Sequence, residues 1–130
     1  VVPLFMTQIL KENSVTIHGD GSTRRNFIHV DDVSKAVDLI MHKGEVGKIY
    51  NIGTKFEYSV MEMYEKLWKV SGEPLVTFRM VPDPRPHNDS RYCIDSTELR
   101  NLGWEENPNF EEKLKETWEW YRDNADYFKE

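Results

Sequence analysis

The chain has 130 residues, 38% of them hydrophobic and 31% charged, and a net charge of −6 at pH 7. That length allows at most one domain with a modest core, the acidic balance argues against a general nucleic-acid binder, whose footprint is basic, and no apolar run approaches the ~20 residues of a membrane span. Cys93 is the only cysteine, which excludes an internal disulfide and fits a reducing, cytoplasmic compartment.

The chain opens on Val1-Val2-Pro3-Leu4-Phe5-Met6, apolar from its first residue and without a basic leader or cleavage signature, so it reads as cut from a longer protein. Pro3 suits the first turn of a helix reaching to about Glu12. Val15 to His18 reads as a short strand. Gly19-Asp20-Gly21 follows as a sharp turn, because glycine reaches positive φ without steric cost. Arg25, Phe27 and His29 then alternate with Asn26, Ile28 and Val30, the period-2 pattern of a half-buried strand. The same stretch also reads as one arm of a β-hairpin with solvated arginines.

A helix is expected from about Asp31 to Lys43, with Val30, Val33, Ala36, Val37 and Ile40 on its apolar face, two acids at its positive end and Gly44 as its stop. Lys48 to Gly53 reads as a strand. Ser59-Val60-Met61-Glu62 has the spacing of a capping box and opens a helix that buries Val60, Met63, Tyr64, Leu67 and Trp68 and ends at Ser71-Gly72. Val76 to Val81 is strand-like. Pro82 to Arg91 is too rich in proline for a helix or a central strand, and Tyr92-Cys93-Ile94 is a brief extended piece. Asp95 to Glu98 and Asn109 to Glu112 repeat the capping-box spacing. The first opens a short helix with Leu99 and Leu102, ended by Gly103; the second opens a last helix with Phe110, Leu114, Trp118 and Tyr121 on one side. Mixed helices and strands with short connections indicate a small α/β unit.

Three places hold polar residues that a core does not need. Arg25 stands just after the glycine turn, and a planar guanidinium suits a bidentate oxyanion such as phosphate. Asn51 interrupts an apolar strand just before Gly53; it serves equally well as a cap of that turn. The proline-rich loop carries Arg85, His87, Asn88, Asp89 and Arg91, held by proline at little further entropy cost, unless it is a plain surface loop. The four histidines show no zinc spacing, no phosphate-cradling GxGxxG or GxxxxGK[ST] is present, and no base is placed to activate Cys93. Trp68, Trp104, Trp118 and Trp120 read as core. The residues alone point to an anion-binding module without catalytic machinery or metal.

Taken together, Gly19-Asp20-Gly21 with Arg25 to Asp32, His42 to Gly47, Tyr50-Asn51-Ile52-Gly53, Arg85-Pro86 with Asn88-Asp89 and Arg91-Tyr92, and Leu102-Gly103-Trp104 resemble the C-terminal substrate-binding part of nucleotide-sugar dehydratases and epimerases, the extended short-chain dehydrogenase/reductase family. The resemblance runs over nearly all of residues 1–130 and is strongest to the nucleotide-glucose 4,6-dehydratases; Asn88-Asp89 and the His42 to Gly47 run lean toward the UDP-glucose enzymes of rhamnose synthesis over the dTDP-glucose ones. It implies a small mixed subdomain of a Rossmann-type enzyme whose Rossmann core lies outside this chain. Arg25 and Arg85 would grip the diphosphate of a nucleotide sugar, Asn51 would contact its nucleotide end, and Asn88 and Tyr92 would line the same pocket. NAD and the Tyr-x-x-x-Lys pair would belong to the missing N-terminal part, so the chain alone would hold no catalytic residue and no cofactor. The whole enzyme, expected as a cytoplasmic homodimer, would oxidise the sugar at C4, remove water across C5–C6 and return hydride to C6. An epimerase of the same family, or a non-catalytic module that kept the fold, stays open beside it.

Overall fold

The computed structural model describes residues 1–128. In chain order the elements are α1 (Val2–Glu12), β1 (Ser14–His18), β2 (Arg24–Asn26), α2 (Val30–Lys43), β3 (Glu57–Ser59), α3 (Val60–Ser71), β4 (Thr77–Val81), α4 (Thr97–Asn101), α5 (Phe110–Asp123) and a 3-10 turn (Ala125–Phe128). The expected α/β mixture is there, carried by two small ribbons. β1 pairs in parallel with β4, Ser14 opposite Thr77 and His18 opposite Val81. β2 pairs antiparallel with β3, Arg25 opposite Tyr58. No β1–β2 hairpin forms among the described residues, because the turn between them serves to pass the chain from one ribbon to the other. Gly19 and Gly21 take φ of 66° and 73° there, and the Asp20 carboxylate accepts from Ser22 N and Oγ to hold the bend.

The main core is built where helical and strand periodicities converge. Phe5, Met6 and Ile9 of α1, Val15 and Ile17 of β1, Met63, Tyr64 and Leu67 of α3, Val76, and Leu114 and Trp118 of α5 all bury against one another. Tyr64 lies in this core because its hydroxyl donates to Val76 O at 2.5 Å, so no polar atom is stranded. A smaller core joins Ala36, Leu99 and Trp104 with Ile28, Leu39, Ile40 and Ile52.

Five expectations fail, most of them for a tertiary reason. β2 ends at Asn26, with one further main-chain bond from Phe27 N to Phe56 O, and Ile28 and His29 then leave the ribbon; His29 becomes the N-cap of α2, its Nδ1 accepting from Asp31 N. The buried face of α2 is centred on Asp32 and Ala36, while Val30 and Val37 are exposed. Trp104 Nε1 donates to Asp32 O, and Asn107 N donates to the Asp32 carboxylate, so two hydrogen bonds turn that face inward against the apolar pattern. Lys48 to Gly53 forms no ladder; the segment is held instead by Ile52 in the second core and by the close approach of Gly53 to Ile94, where a Cβ would meet the Ile94 side chain at 2.7 Å. Of the three capping boxes only Ser59/Glu62 closes. At α4 the Asp95 carboxylate accepts from Thr97 while Glu98 pairs with Lys48, and at α5 Asn109 makes no side-chain cap. Trp104 and Trp118 are buried as expected, but Trp120 is 48% exposed.

Candidate anion-binding site

The site starts from β2. On one edge β2 pairs with β3; on its other edge it takes the end of the proline-rich loop, for Arg24 N donates to Ser90 O, Tyr92 N donates to Arg24 O, and Arg24 bridges Arg91. A loop with seven polar side chains is thereby laid beside the strand at the position where Arg25 emerges. Proline makes this possible: Pro82, Pro84 and Pro86 cannot donate to a ladder, so the loop meets β2 only at its proline-free end.

Arg25 then reaches across. Its Nη2 donates to Asn88 Oδ1 at 3.0 Å and to Asp89 O at 2.9 Å, its Nη1 donates to Arg24 O at 2.6 Å, and its guanidinium carbon stands 4.4 Å from the centre of the Tyr92 ring. All of these partners are neutral. Among the described residues no carboxylate lies within ion-pair distance of Arg25, whereas Arg24 pairs with Glu62, Arg85 with Asp83 and Arg91 with Glu57. Of the four arginines gathered here, Arg25 alone keeps an unneutralised charge.

The loop joins Arg85 to the same array. The Asp83 carboxylate takes Arg85 Nε at 2.8 Å, Arg85 Nη2 at 2.9 Å and Asn88 Nδ2 at 3.0 Å. Asn88 therefore bridges the two: its oxygen faces Arg25 and its amide nitrogen faces Asp83. The hydrogen bonds from Arg85 hold the Asp83 carboxyl far below the usual carboxylate range. The nearby Asp89 carboxylate raises the Tyr92 phenol above its usual range, with Arg25 pulling the other way. Arg25, Asn88, Tyr92 and Arg85 thus form one connected group.

Asn51 does not join it. It is exposed in the segment between α2 and β3, and no contact among the described residues links it to Arg25, Asn88 or Arg85. Arg91 is tied to Glu57 of β3 through Nε and Nη2 (2.9 Å for the second). Asp83 is the member that sequence reasoning passed over. Its signal was there, an aspartate two residues ahead of Arg85 in a turn, the spacing at which an Asp side chain accepts a backbone N–H, as it does here from Arg85 N at 3.0 Å.

A broader concavity lies elsewhere. It is an open, mainly apolar groove between Val2-Pro3, Phe27 to Val30 and the Leu114 to Trp120 side of α5. Its cation, Lys113, is already 2.7 Å from Glu116 and 3.5 Å from Asp31. His29, Asp31 and Glu116 bring ligand atoms within 4.8 Å of one another there, but the Lys113 ammonium already answers both carboxylates. Chemistry for a phosphate-like anion is found at the arginine array.

The GDP-mannose 4,6-dehydratase family model matches residues 1–117. The chain is 39% identical over 129 residues to a trifunctional UDP-glucose 4,6-dehydratase/3,5-epimerase/reductase of Arabidopsis thaliana, covering 98% of this chain and 19% of the relative. It is also 39% identical to dTDP-D-glucose 4,6-dehydratase of Mus musculus, covering 95% of this chain and 36% of the relative. Among solved structures, a dTDP-glucose 4,6-dehydratase from Streptomyces venezuelae with NAD bound superposes with a TM-score of 0.88 at 32% identity, over 98% of this chain and 39% of that one. UDP-glucose 4-epimerase from Thermotoga maritima with UDP-glucose gives 0.85 at 32% identity, over 95% and 40%. The chain spans a fifth to two-fifths of the length of these relatives.

Proposed function

The chain belongs to the GDP-mannose 4,6-dehydratase family, within the extended short-chain dehydrogenases/reductases, and from that premise we propose that residues 1–130 are the nucleotide-sugar-binding region of an NAD-dependent nucleotide-sugar 4,6-dehydratase. Its substrate is UDP-glucose or dTDP-glucose and its product the 4-keto-6-deoxy sugar nucleotide. The observation that carries this reading is Arg25: a guanidinium with only neutral partners, held rigidly by Asn88, Asp89 O and the Tyr92 ring, has its charge left for an anion.

In this reading Arg25 and Arg85 hold the diphosphate, with Asn88 and Tyr92 beside them, and Asn51, which stands apart from this array, meets the nucleotide end. Fixed guanidiniums around a dianion orient the sugar for the reacting groups. Those groups lie outside this sequence, which contains no Tyr-x-x-x-Lys pair. The residues here do not fit NAD either. A dinucleotide needs a glycine-rich turn that opens a helix, and the helices of the described residues open instead on Val1, His29, Ser59, Ser96 and Asn109. NAD, which supplies hydride chemistry, is therefore assigned to sequence beyond these residues.

The likeness to a UDP-glucose 4-epimerase favours a second reading in which the bound sugar is inverted at C4. Incubating the whole enzyme with NAD and UDP-glucose or dTDP-glucose separates the two: a 4-keto-6-deoxy product supports dehydration, a galactose nucleotide supports epimerisation, and binding without turnover supports a non-catalytic module. We further propose a cytoplasmic homodimer. Unpaired Cys93 fits a reducing compartment, no helix among the described residues is long and apolar enough to cross a membrane, and light scattering measures the assembly.

A further inference from the structure

We propose that Asp83 is the positioning residue of the anion site, the group that sets Arg85 and Asn88 so that both guanidiniums face one ligand. This rests on the reading of the array as a diphosphate site.

Asp83 is the hub of the loop. Its Oδ1 accepts from Arg85 N and Nε, and its Oδ2 accepts from Arg85 Nη2 and Asn88 Nδ2. These bonds act on both cations. On Arg85 they occupy the Nε/Nη2 edge of the guanidinium and leave the Nη1 donors uncommitted, with the side chain 54% exposed. On Asn88 they decide which way the amide points. An amide donates from nitrogen and accepts at oxygen, so once Nδ2 is held by a carboxylate, Oδ1 must face the other way. There it meets Arg25 Nη2. Asp83 thus orients Arg25 through Asn88 without touching it.

The carboxylate is set in the loop more firmly than the groups it serves. Its side chain is 22% exposed against 54% for Arg85, and its bond to Arg85 N closes a turn of its own backbone. A freely swinging acid would compete with phosphate for Arg85. An acid anchored by a main-chain N–H instead holds one edge of the fork and leaves the other edge for the ligand, which lowers the ordering cost of binding.

The test is calorimetric titration of UDP, and in parallel dTDP, into the full chain and its variants. Asp83→Asn keeps the size of the side chain and removes the charge. It is expected to weaken UDP binding about fivefold to tenfold, the scale of one ordinary net hydrogen bond, with the melting temperature unchanged. In an Arg85→Ala/Asn88→Ala background, where both positioned groups are gone, Asp83→Asn is expected to change affinity by less than about twofold, the ordinary signature of coupled residues. Equal losses in both backgrounds, accompanied by a lower melting temperature, would make Asp83 a plain loop-folding residue and overturn the proposal. Tighter binding by Asp83→Asn would make it a competitor of the ligand and overturn it as well. If the Arg85→Ala/Asn88→Ala variant binds UDP as the unaltered chain does, the diphosphate reading of the array falls, and the role of Asp83 falls with it.

Discussion

Arg25 Nη2 lies 3.0 Å from Asn88 Oδ1, a contact across 63 positions of sequence. It joins a strand residue to a loop that has no regular structure of its own. β2 holds one end of that contact in register with β3, and the main-chain bonds from Arg24 to Ser90 and from Tyr92 to Arg24 hold the other. Because the strand edge carries the loop, the guanidinium is aimed before any ligand arrives. Four predictions follow the lines of force through this arrangement.

Replacing Arg25 by Ala should weaken nucleoside-diphosphate binding by about 1.5–3 kcal/mol, the range for a hydrogen bond to a charged group. Arg25→Lys should recover little of it, since an ammonium can neither fork between Asn88 and Asp89 O nor stack on Tyr92 as a plane. Titration of UDP into the three proteins measures both effects.

Arg85 and Arg91 sit six residues apart in one loop and should behave as opposites. Arg91 clamps the loop to β3 through Glu57, which it holds below the usual carboxylate range, so Arg91→Ala should lower the melting temperature more than it lowers affinity. Arg85 pairs within its own loop, so Arg85→Ala should cost roughly tenfold in UDP affinity and leave the melting temperature nearly unchanged. Thermal melts and titrations on the same two variants give the comparison.

Glu106 should make the fold acid-sensitive. Burial by itself would raise this carboxyl, but two bonds from Arg100 and one from Lys55 N outweigh it and bring it from 4.5 to about 2. The folded value lies below the unfolded one, so the stabilisation is complete above pH 4.5 and drains away as pH falls toward 2. Its full size is about 3 kcal/mol at neutral pH, from the free energy of one pKa unit. Denaturant melts at steps from pH 7 to pH 2 should show this loss in the unaltered chain and a flatter profile in Glu106→Gln, which starts from lower stability.

Ser59→Ala should destabilise the chain by about 1 kcal/mol, the typical value of an N-cap, and lower the melting temperature by roughly 2–6 °C. Ser59 Oγ accepts from Glu62 N at 3.1 Å while Ser59 N donates to the Glu62 carboxylate at 2.6 Å, and that carboxylate also meets Arg24 at 3.0 Å. The loss should therefore be smaller in an Arg24→Ala background, which a double-mutant cycle by thermal melts would show.

The features legible in the sequence are local. Pro3 and the apolar spacing of α1, the Ser59–Glu62 box that opens α3, the Phe110-Leu114-Trp118-Tyr121 stripe of α5 and the glycine turn at residues 19–21 are each written within a few neighbouring residues, because helix caps, side-chain period and φ preference act at that range. The family resemblance was legible for a related reason, as short motifs in fixed order. The features that emerge only on folding depend on partners far along the chain. Val30 and Val37 promised the inner face of α2, and Trp104 and Asn107, more than 70 positions away, turned Asp32 inward instead. Lys48 to Gly53 had a strand's composition, but a strand exists only where another backbone offers a ladder. Arg91 found its carboxylate partner in Glu57, 34 positions away. Asp83, finally, was visible as a residue but not as a hub: its bond to Arg85 N is local, while its worth comes from Asn88 and, through it, from Arg25 on a strand that only folding brings near.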